Sequence, residues 1–118
     1  MADGTPLSEL VKTIEQYEQI VAVGVNCVAR VKVTTALQAL RDTGTKVPLL
    51  AYPNSGEIYD GETKLWRGDH KGPREWEAQV REWVGLGARM VGGCCRTNAE
   101  DVGAIARALD VSSADDVR

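Results

Sequence analysis

The sequence contains no phenylalanine, and aromatic residues make up only 5% of its 118 residues. Aliphatic side chains must therefore supply most of the hydrophobic core. There is a single histidine, His70, which lies in a polar stretch, and we interpret it as a solvated residue rather than a ligand. Cysteine occurs three times, as Cys27, Cys94 and Cys95. This odd number excludes a complete set of disulfides within one chain.

Other features are missing too, and each absence argues against a class of protein. No apolar run approaches the ~20 residues that a membrane-spanning helix needs. The first residues lack the charged and then apolar pattern of a secretory signal. The net charge is −3 and no basic run is present, which argues against nucleic acid as a partner. We therefore expect a cytoplasmic protein with reduced thiols, in which clustered cysteines favour metal binding or chemistry over disulfides.

Helical and extended apolar patterns alternate along the chain, whose length is that of one domain or less. This alternation predicts an α/β fold with a parallel sheet and right-handed crossovers. The β-branched runs suit strands that are covered on both faces. The last helix should begin at a capping box formed by Thr97 and Glu100. We predict helices at 6–17, 33–40, 74–86 and 98–109, strands at 20–25, 47–52 and 88–93, and a disordered tail at 110–118.

A long polar stretch, residues 53–73, separates the second strand from the third helix. It exceeds the ~2–6 residues of most connections in α/β units, and loops of this length are usually functional or disordered. Because it contains Tyr59, Leu65 and Trp66, we predict an ordered lid or substrate loop.

All three cysteines follow the end of a predicted strand. Cys27 comes after the first strand, and the pair Cys94 and Cys95 comes after two glycines at the end of the third. The carboxyl ends of parallel strands share one face, where the active sites of α/β proteins form. The topology therefore predicts that the three sulfur atoms meet. Three protein ligands with an exchangeable fourth position are typical of catalytic zinc, and soft thiolates favour zinc over magnesium or calcium.

The charge of such a site indicates its chemistry. Three thiolates on one divalent ion leave a net charge of about −1, which makes the ion poorly suited to generating hydroxide. The site suits a substrate thiol instead, because the metal makes the thiolate abundant at neutral pH although a free thiol has a pKa of about 8.5. The expected reaction is attack of that sulfur on an activated carbon.

Two alternatives remain open at this point. Isolated cysteines at strand ends are most often packing residues, because cysteine is among the most buried residue types. Cys94 and Cys95 could instead be the redox pair of a thiol-redox protein, although a reducing compartment disfavours a disulfide. The matching positions of the three cysteines favour the metal site over both alternatives.

Three segments, around the cysteines and after the second strand, are Gly24-Val25-Asn26-Cys27, Tyr52-Pro53-Asn54-Ser55-Gly56 and Gly92-Gly93-Cys94-Cys95-Arg96-Thr97. Together they resemble those of the homocysteine S-methyltransferase family. They occur in the family's order, the resemblance covers residues 6–109, and the split arrangement of one cysteine and a cysteine pair is highly specific. The middle segment is similar to the branch that uses S-methylmethionine or S-adenosylmethionine as methyl donor, more than to the betaine-dependent or cobalamin-dependent branches.

The resemblance implies a zinc-dependent methyl transfer. The three cysteines would be the zinc ligands, and the sulfur of homocysteine would be the fourth ligand. The zinc-bound thiolate would take a methyl group from the sulfonium donor and yield methionine. The resemblance also implies three residues that shape the metal site or lie near the substrates: Asn26, Tyr52 and Asn54.

The chain also departs from the family pattern. The family fold is a (β/α)8 TIM barrel of about 250 residues or more, and this chain resembles only its C-terminal part, from the fifth helix through the last three strand–helix units. The family's aspartate-glycine-glycine segment and the acidic residues that recognise the amino group of homocysteine have no counterpart here. Arg30 stands where the family has proline, which predicts a less rigid and more basic loop after Cys27.

A partial barrel would leave two unpaired strand edges and an uncovered inner face, and both promote association. We therefore expect the chain to pair with a complementary N-terminal half, to associate with itself, or to be poorly stable. The alternative function is a truncated zinc-binding remnant without activity.

Overall fold

The computed structural model describes residues 1–68 and 72–116 and shows a three-stranded parallel sheet with helices packed against it. The predicted α/β fold with parallel strands is confirmed. Within the described part, no helix is both long and apolar enough to cross a membrane. His70 lies outside the described residues, so its solvation stays a prediction. The elements are α1 (Leu7–Ile14), β1 (Val23–Asn26), α2 (Arg30–Asp42), β2 (Leu49–Tyr52), β3 (Ile58–Asp60), β4 (Leu65–Arg67), α3 (Pro73–Gly85), β5 (Ala88–Val91) and α4 (Ala99–Asp116).

The central strand of the sheet is β2, because the strand order is β1-β2-β5. Residues of β1 lie opposite those of β2 in register, from Val23 opposite Leu49 to Asn26 opposite Tyr52. Both pairings are parallel, so the three strands end on the same edge. The loop after β2 therefore lies between the loops after β1 and β5.

The hydrophobic core lies between the helices and one face of the sheet. Along β2, Leu49 and Ala51 are buried, whereas Tyr52 is 39% exposed. Met90 of β5 is also exposed, at 43%. The prediction of strands covered on both faces is therefore wrong, because the helices of the described residues pack against only one face of the sheet.

The helical part of the core confirms the predicted apolar faces of α2 and α3. The rings of Trp76 and Trp83 are fully buried and meet edge to face, with 6.4 Å between their centroids. The indole N–H of Trp83 donates a hydrogen bond to Oγ1 of Thr34 at 3.1 Å, which satisfies its polar atom inside the core. The buried stripe of α2 comprises Val33, Leu37 and Leu40.

One glycine of β1 is required by the close approach of the neighbouring strand. A Cβ atom on Gly24 would lie 1.6 Å from the carbonyl oxygen of Leu50. That oxygen belongs to the backbone of β2 and cannot move aside without breaking the pairing of the two strands.

Helix α2 begins at Arg30, three residues earlier than the apolar spacing predicts. The Arg30 side chain is only 3% exposed, and its guanidinium carbon lies 4.2 Å from the ring centroid of Trp76. Its Nε donates to Oε1 of Gln79 at 2.6 Å. The predicted flexible, basic loop around Arg30 is therefore wrong. Hydrophobic periodicity missed this turn because arginine packs its stem and planar head against an aromatic ring while it remains a charged residue.

The long stretch after β2 contains an antiparallel hairpin of β3 and β4. The rings of Tyr59 and Trp66 lie 5.3 Å apart, and Asp60 accepts hydrogen bonds from the N–H of Glu62 and from Nε of Arg67. The expected order of this stretch is confirmed for its described residues, whereas its role as a lid stays a prediction. Three-residue strands are too short to show alternation, although aspartate followed by glycine at 60–61 is a recognised hairpin signal.

The last helix has a capping box, but it lies one residue later than predicted. Oδ1 of Asn98 accepts a hydrogen bond from the Asp101 N–H at 3.0 Å, and Oδ2 of Asp101 accepts one from the Asn98 N–H at 2.9 Å. Thr97, the predicted cap, donates its hydroxyl to the carbonyl of Cys94 instead. Asparagine and aspartate can form this reciprocal pair of hydrogen bonds as threonine and glutamate do. The sequence alone is therefore compatible with two overlapping capping boxes, one that begins at Thr97 and one that begins at Asn98.

Helix α4 is also longer than predicted. It ends at Asp116 rather than near 109, so residues 110–116 are helical where we expected a disordered tail. The polar composition of this segment suggested disorder, but the segment continues a helix whose first turns are anchored in the core. Residues 117–118 lie outside the described part of the chain.

Candidate metal centre

Three sulfur atoms meet where β1 and β5 end. Sγ of Cys95 lies 3.7 Å from Sγ of Cys27 and 4.0 Å from Sγ of Cys94. All three sulfurs lie within 4.8 Å of one another. The structure thus brings together the three cysteines that the sequence selects, although Cys27 and Cys95 are 68 positions apart.

The separations fit a metal ion better than a disulfide. Zn–S bonds of about 2.3 Å in a tetrahedron place two sulfurs about 3.8 Å apart. A disulfide needs about 2.05 Å, and all three cysteines are free. Cys27 and Cys95 are exposed and Cys94 is half-buried, so a fourth ligand can approach the cluster. Soft thiolate donors with one accessible position suit zinc chemically.

In the metal-free cluster, the surroundings of Cys27 disfavour its ionised form. Hydrogen bonding with Cys95, then with Cys94, and a smaller contribution from burial raise the pKa of Cys27 from 9.0 to about 11. The thiol of Cys27 is held close to two other sulfur atoms, so a negative charge on it is unfavourable. A bound divalent cation would reverse this effect, because it favours the thiolate form of every ligand.

The two glycines before the cysteine pair make room for neighbouring side chains. A Cβ atom on Gly92 would lie 2.2 Å from the ring of Tyr52, and one on Gly93 would lie 2.5 Å from Oγ1 of Thr97. Because neither glycine carries a side chain, Tyr52 covers the end of β5 and Thr97 caps the turn that presents the two thiols.

Two non-glycine residues adopt left-handed backbone conformations at this site. Cys27 has φ 57° and Arg96, directly after the cysteine pair, has φ 65°. Such conformations are uncommon for non-glycine residues and gather at functional sites, where the surrounding contacts impose them. At Cys27 the backbone N–H donates to the carbonyl of Tyr52 at 2.9 Å.

The other predicted site residues divide into two groups. Asn26 and Tyr52 are exposed and lie opposite each other at the ends of β1 and β2. Asn54 is only 8% exposed, and its Oδ1 accepts a hydrogen bond from the N–H of Cys95 at 3.2 Å. The side chain of Asn54 therefore contacts the backbone of the cysteine pair, and the substrate contacts of all three residues stay predictions.

The sequence alone assigned no role to three residues near the site, which are Ser55, Glu57 and Arg96. Glu57 accepts two hydrogen bonds from the guanidinium of Arg96, at 3.2 and 3.1 Å, and a third from Oγ of Ser55 at 3.0 Å. This pairing raises the pKa of Arg96 above its usual range. The sequence held one signal for this contact: Glu57 and Arg96 carry opposite charges in two loops that follow neighbouring parallel strands.

Two clefts lie at the opposite edge of the sheet from the sulfurs. Their volumes are about 300 and 650 Å³, and both are lined by Val47 and Pro48, where β2 begins. Their position separates them from the chemistry of the cysteine cluster.

Comparison with known proteins identifies relatives over most of the chain. The family model of homocysteine S-methyltransferases matches residues 1–109. The homocysteine S-methyltransferase of Escherichia coli is 42% identical over 105 residues, which are 89% of this chain and 34% of that protein. An uncharacterized protein of Saccharomyces cerevisiae is 40% identical over 86 residues, 73% of this chain and 82% of that protein.

Solved structures give the same relationship. The apo form of the Escherichia coli homocysteine methyltransferase MmuM matches with a TM-score of 0.72 and 36% identity over 92% of this chain and 34% of that chain. The metallated form of the same enzyme matches with a TM-score of 0.71 and 38% identity, over 91% of this chain and 31% of that one. The chain spans about a third of the length of the curated homocysteine S-methyltransferases that it matches. By its sequence match and its fold, this chain belongs to the homocysteine S-methyltransferase family.

Proposed function

We propose that this chain is the metal-binding part of a zinc-dependent homocysteine S-methyltransferase that forms methionine from homocysteine. The observation that carries the proposal is the cluster of three free thiols within 4.8 Å of one another at the ends of β1 and β5. The names of its relatives support homocysteine as the methyl acceptor. The methyl donor would be S-methylmethionine or S-adenosylmethionine, and the compartment would be the reducing cytoplasm.

The zinc ligands in this proposal are Cys27, Cys94 and Cys95. The separations of their sulfurs and their soft donor character support a zinc ion with one position left for the substrate. When bound, zinc supplies the positive charge that keeps the sulfur of homocysteine deprotonated at neutral pH. Cys27 and Cys95 are exposed, which leaves the approach of a substrate thiol open.

The reaction needs little acid–base catalysis from the protein. The thiol proton of homocysteine is lost to solvent, and the sulfur then attacks the methyl carbon of the sulfonium donor. One carbon–sulfur bond forms and one breaks, and the electron pair of the broken bond remains on the donor sulfur, which becomes neutral. The protein's task is to hold two sulfur atoms in line with the methyl group between them.

The exposed side of the sheet is where we place the substrates. Asn26 and Tyr52 lie side by side at the ends of their strands and are both open to solvent. In this proposal the sheet is three consecutive strands of a (β/α)8 barrel, and its exposed face, which carries Met90, lines the barrel interior. The substrate contacts that are absent from this chain would come from a complementary half-barrel or from a second copy.

A second candidate function is a zinc-binding remnant without turnover. The observation that favours it is a short uncharacterized relative, 40% identical, of which the match covers 82%. The short relative from Saccharomyces cerevisiae covers a similar part of the family. A thiol-redox function is less well supported, because the cysteines cluster as a group of three rather than as an isolated pair.

The test combines metal content with activity. We expect one zinc per chain, and we expect each of Cys27→Ser, Cys94→Ser and Cys95→Ser to abolish stoichiometric zinc. The control is Ser8→Ala on the exposed surface of α1, which should keep the zinc. Unchanged zinc content in all three cysteine variants would show that the metal assignment is wrong.

Activity then separates the two candidate functions. The chain is incubated with homocysteine and either S-methylmethionine or S-adenosylmethionine, and methionine is measured by mass spectrometry. Methionine that forms with wild-type chain but not with the cysteine variants supports the methyltransferase. Zinc binding without methionine supports the remnant. A reversible Cys94–Cys95 disulfide in a chain that binds no zinc would support the redox protein.

A further inference from the structure

The two loops that carry the thiols follow strands that are not neighbours in the sheet. Cys27 follows β1 and the cysteine pair follows β5, and these strands are separated by β2. Backbone pairing between β1 and β5 therefore cannot set the distance between the sulfurs. The loop after β2 lies between the two thiol loops and can contact both.

On one side, this loop is bonded to the segment that carries the first thiol. The N–H of Cys27 donates to the carbonyl of Tyr52 at 2.9 Å. The N–H of Asn54 donates to the carbonyl of Val28, also at 2.9 Å. These bonds attach Cys27 and the residue after it to the loop, and they hold the left-handed turn at Cys27.

On the other side, the loop is bonded to the cysteine pair. The N–H of Cys94 donates to the carbonyl of Pro53 at 2.9 Å, and the N–H of Ser55 donates to the carbonyl of Cys95 at 3.1 Å. Oδ1 of Asn54 accepts from the N–H of Cys95 at 3.2 Å. Asn54 and Ser55 are 8% and 1% exposed, so water does not compete effectively for these bonds.

A charged contact extends this attachment by one residue. The guanidinium of Arg96 donates to both carboxylate oxygens of Glu57, a two-point contact that fixes direction as well as distance. Oγ of Ser55 orients the same carboxylate. Arg96 is the residue whose left-handed backbone turns the chain away after the second thiol of the pair.

We propose that the segment 52–57 is the positioning element of the metal centre, with Asn54 and Glu57 as its positioning residues. It sets the distance between the Cys27 sulfur and the sulfurs of the cysteine pair. Asn54 acts through the backbone of Cys95, and Glu57 acts through Arg96. The inference rests on the proposed function in that the three thiols are metal ligands. Residues that orient metal ligands typically contribute about 10–100-fold to metal affinity.

The first experiment measures metal binding directly. Zn²⁺ affinity is determined by competition with a chelator, and Co²⁺ is used as a probe whose absorption reports the coordination geometry. We expect Asn54→Ala to weaken binding of both metals by about 10–100-fold and to change the Co²⁺ spectrum. Asn54→Asp keeps an oxygen acceptor in the same place and should retain the wild-type Co²⁺ spectrum.

The second pair of variants tests the charged contact. Glu57→Gln removes the negative charge that holds Arg96, and we expect a weaker but measurable loss of metal affinity. Glu62→Gln makes the same chemical change in the exposed turn of the hairpin and should have no effect. If Asn54→Ala proves unable to fold, Glu57→Gln alone still decides the proposal, because its contacts lie near the surface.

A metal-free readout separates this proposal from the proposed function. Hydrogen exchange of the Cys94 and Cys95 amides is measured by NMR without metal, and we expect faster exchange in Asn54→Ala than in wild type. A wild-type chain that binds neither metal would overturn the metal assignment, yet faster amide exchange would still support the role of the segment in placing the thiols. Unchanged metal affinity, Co²⁺ spectrum and amide exchange in both Asn54→Ala and Glu57→Gln would overturn the positioning role.

Discussion

Sγ of Cys27 lies 3.7 Å from Sγ of Cys95, although 68 positions separate the two residues in sequence. The two strands that deliver them do not pair with each other, because β2 lies between them. The sulfurs therefore meet above the end of β2, and they do so without the restraint of a disulfide. A contact of this length between free thiols places unfavourable charge together if both ionise.

Metal binding should release the proton of Cys27. Its pKa of about 11 means that this thiol is protonated at neutral pH in the metal-free chain. Zinc affinity should rise with pH, by about tenfold per pH unit for each proton released. Proton release is measured by titration of zinc into a lightly buffered solution at pH 7. Cys27→Ser should release fewer protons than wild type, and equal release would contradict the assignment.

The same raised pKa makes the stability of the metal-free chain depend on pH. The folded pKa of Cys27 lies above its unfolded value of 9.0, so the fold favours the protonated thiol. Its contribution to stability is fully present below pH 9 and is lost as the pH rises towards 11. Urea unfolding of the metal-free chain between pH 8 and pH 11 should show this loss. Cys27→Ser removes the titrating group and should show a smaller decline over the same interval.

Gly24→Ala should disrupt the pairing of β1 with β2. The added methyl group would lie 1.6 Å from the Leu50 carbonyl oxygen, so the strands must separate. We expect a loss of more than about 3 kcal/mol in the free energy of unfolding, which exceeds the cost of most single substitutions. Gly61→Ala is the matched control, because a Cβ atom there meets nothing within 4 Å. Denaturant unfolding measures both, and equal effects would show that the close approach is unimportant.

Arg30 should be replaceable by methionine but not by alanine. Arg30→Ala removes the packing on Trp76 and the hydrogen bond to Gln79, and we expect a loss of about 2–4 kcal/mol in unfolding free energy. Arg30→Met fills similar space without burying a charge and should cost less than about 1 kcal/mol. Lys32→Met on the exposed side of the same helix is the control. A methionine variant as unstable as the alanine variant would show that the charge itself stabilises the fold.

The exposed face of the sheet should mediate association of the isolated chain. Met90 is 43% exposed on that face and lies beside the half-buried Leu50 of β2. Sedimentation velocity should show self-association of the wild-type chain, or complex formation with a complementary half-barrel when one is supplied. Met90→Lys should reduce association, whereas Val31→Lys on the helical side should not. A monodisperse wild-type monomer with a sharp thermal transition would contradict the prediction.

Local patterns predicted much of this fold. Apolar spacing located most helices and strands, because a helix with one buried face has apolar residues at helical intervals and a buried strand is a short apolar run. The pattern failed where burial does not use an apolar residue. Arg30 is buried against the ring of Trp76 although it is charged, and a capping box could begin at Asn98 as well as at Thr97. The β3–β4 hairpin escaped because its strands are only three residues long.

By itself, the sequence determined which residues form the candidate metal centre: three cysteines, each shortly after a strand that must be parallel to the others. It did not determine the distances between them. Those depend on the order of the strands, which puts β2 between the two thiol loops and makes the loop after β2 the connection between them. The hydrogen bond from the Cys95 N–H to Asn54 arises only from that order, because it joins residues 41 positions apart that no local pattern relates. Residue type is encoded locally, whereas the spacing of ligands from distant segments is a property of the folded sheet.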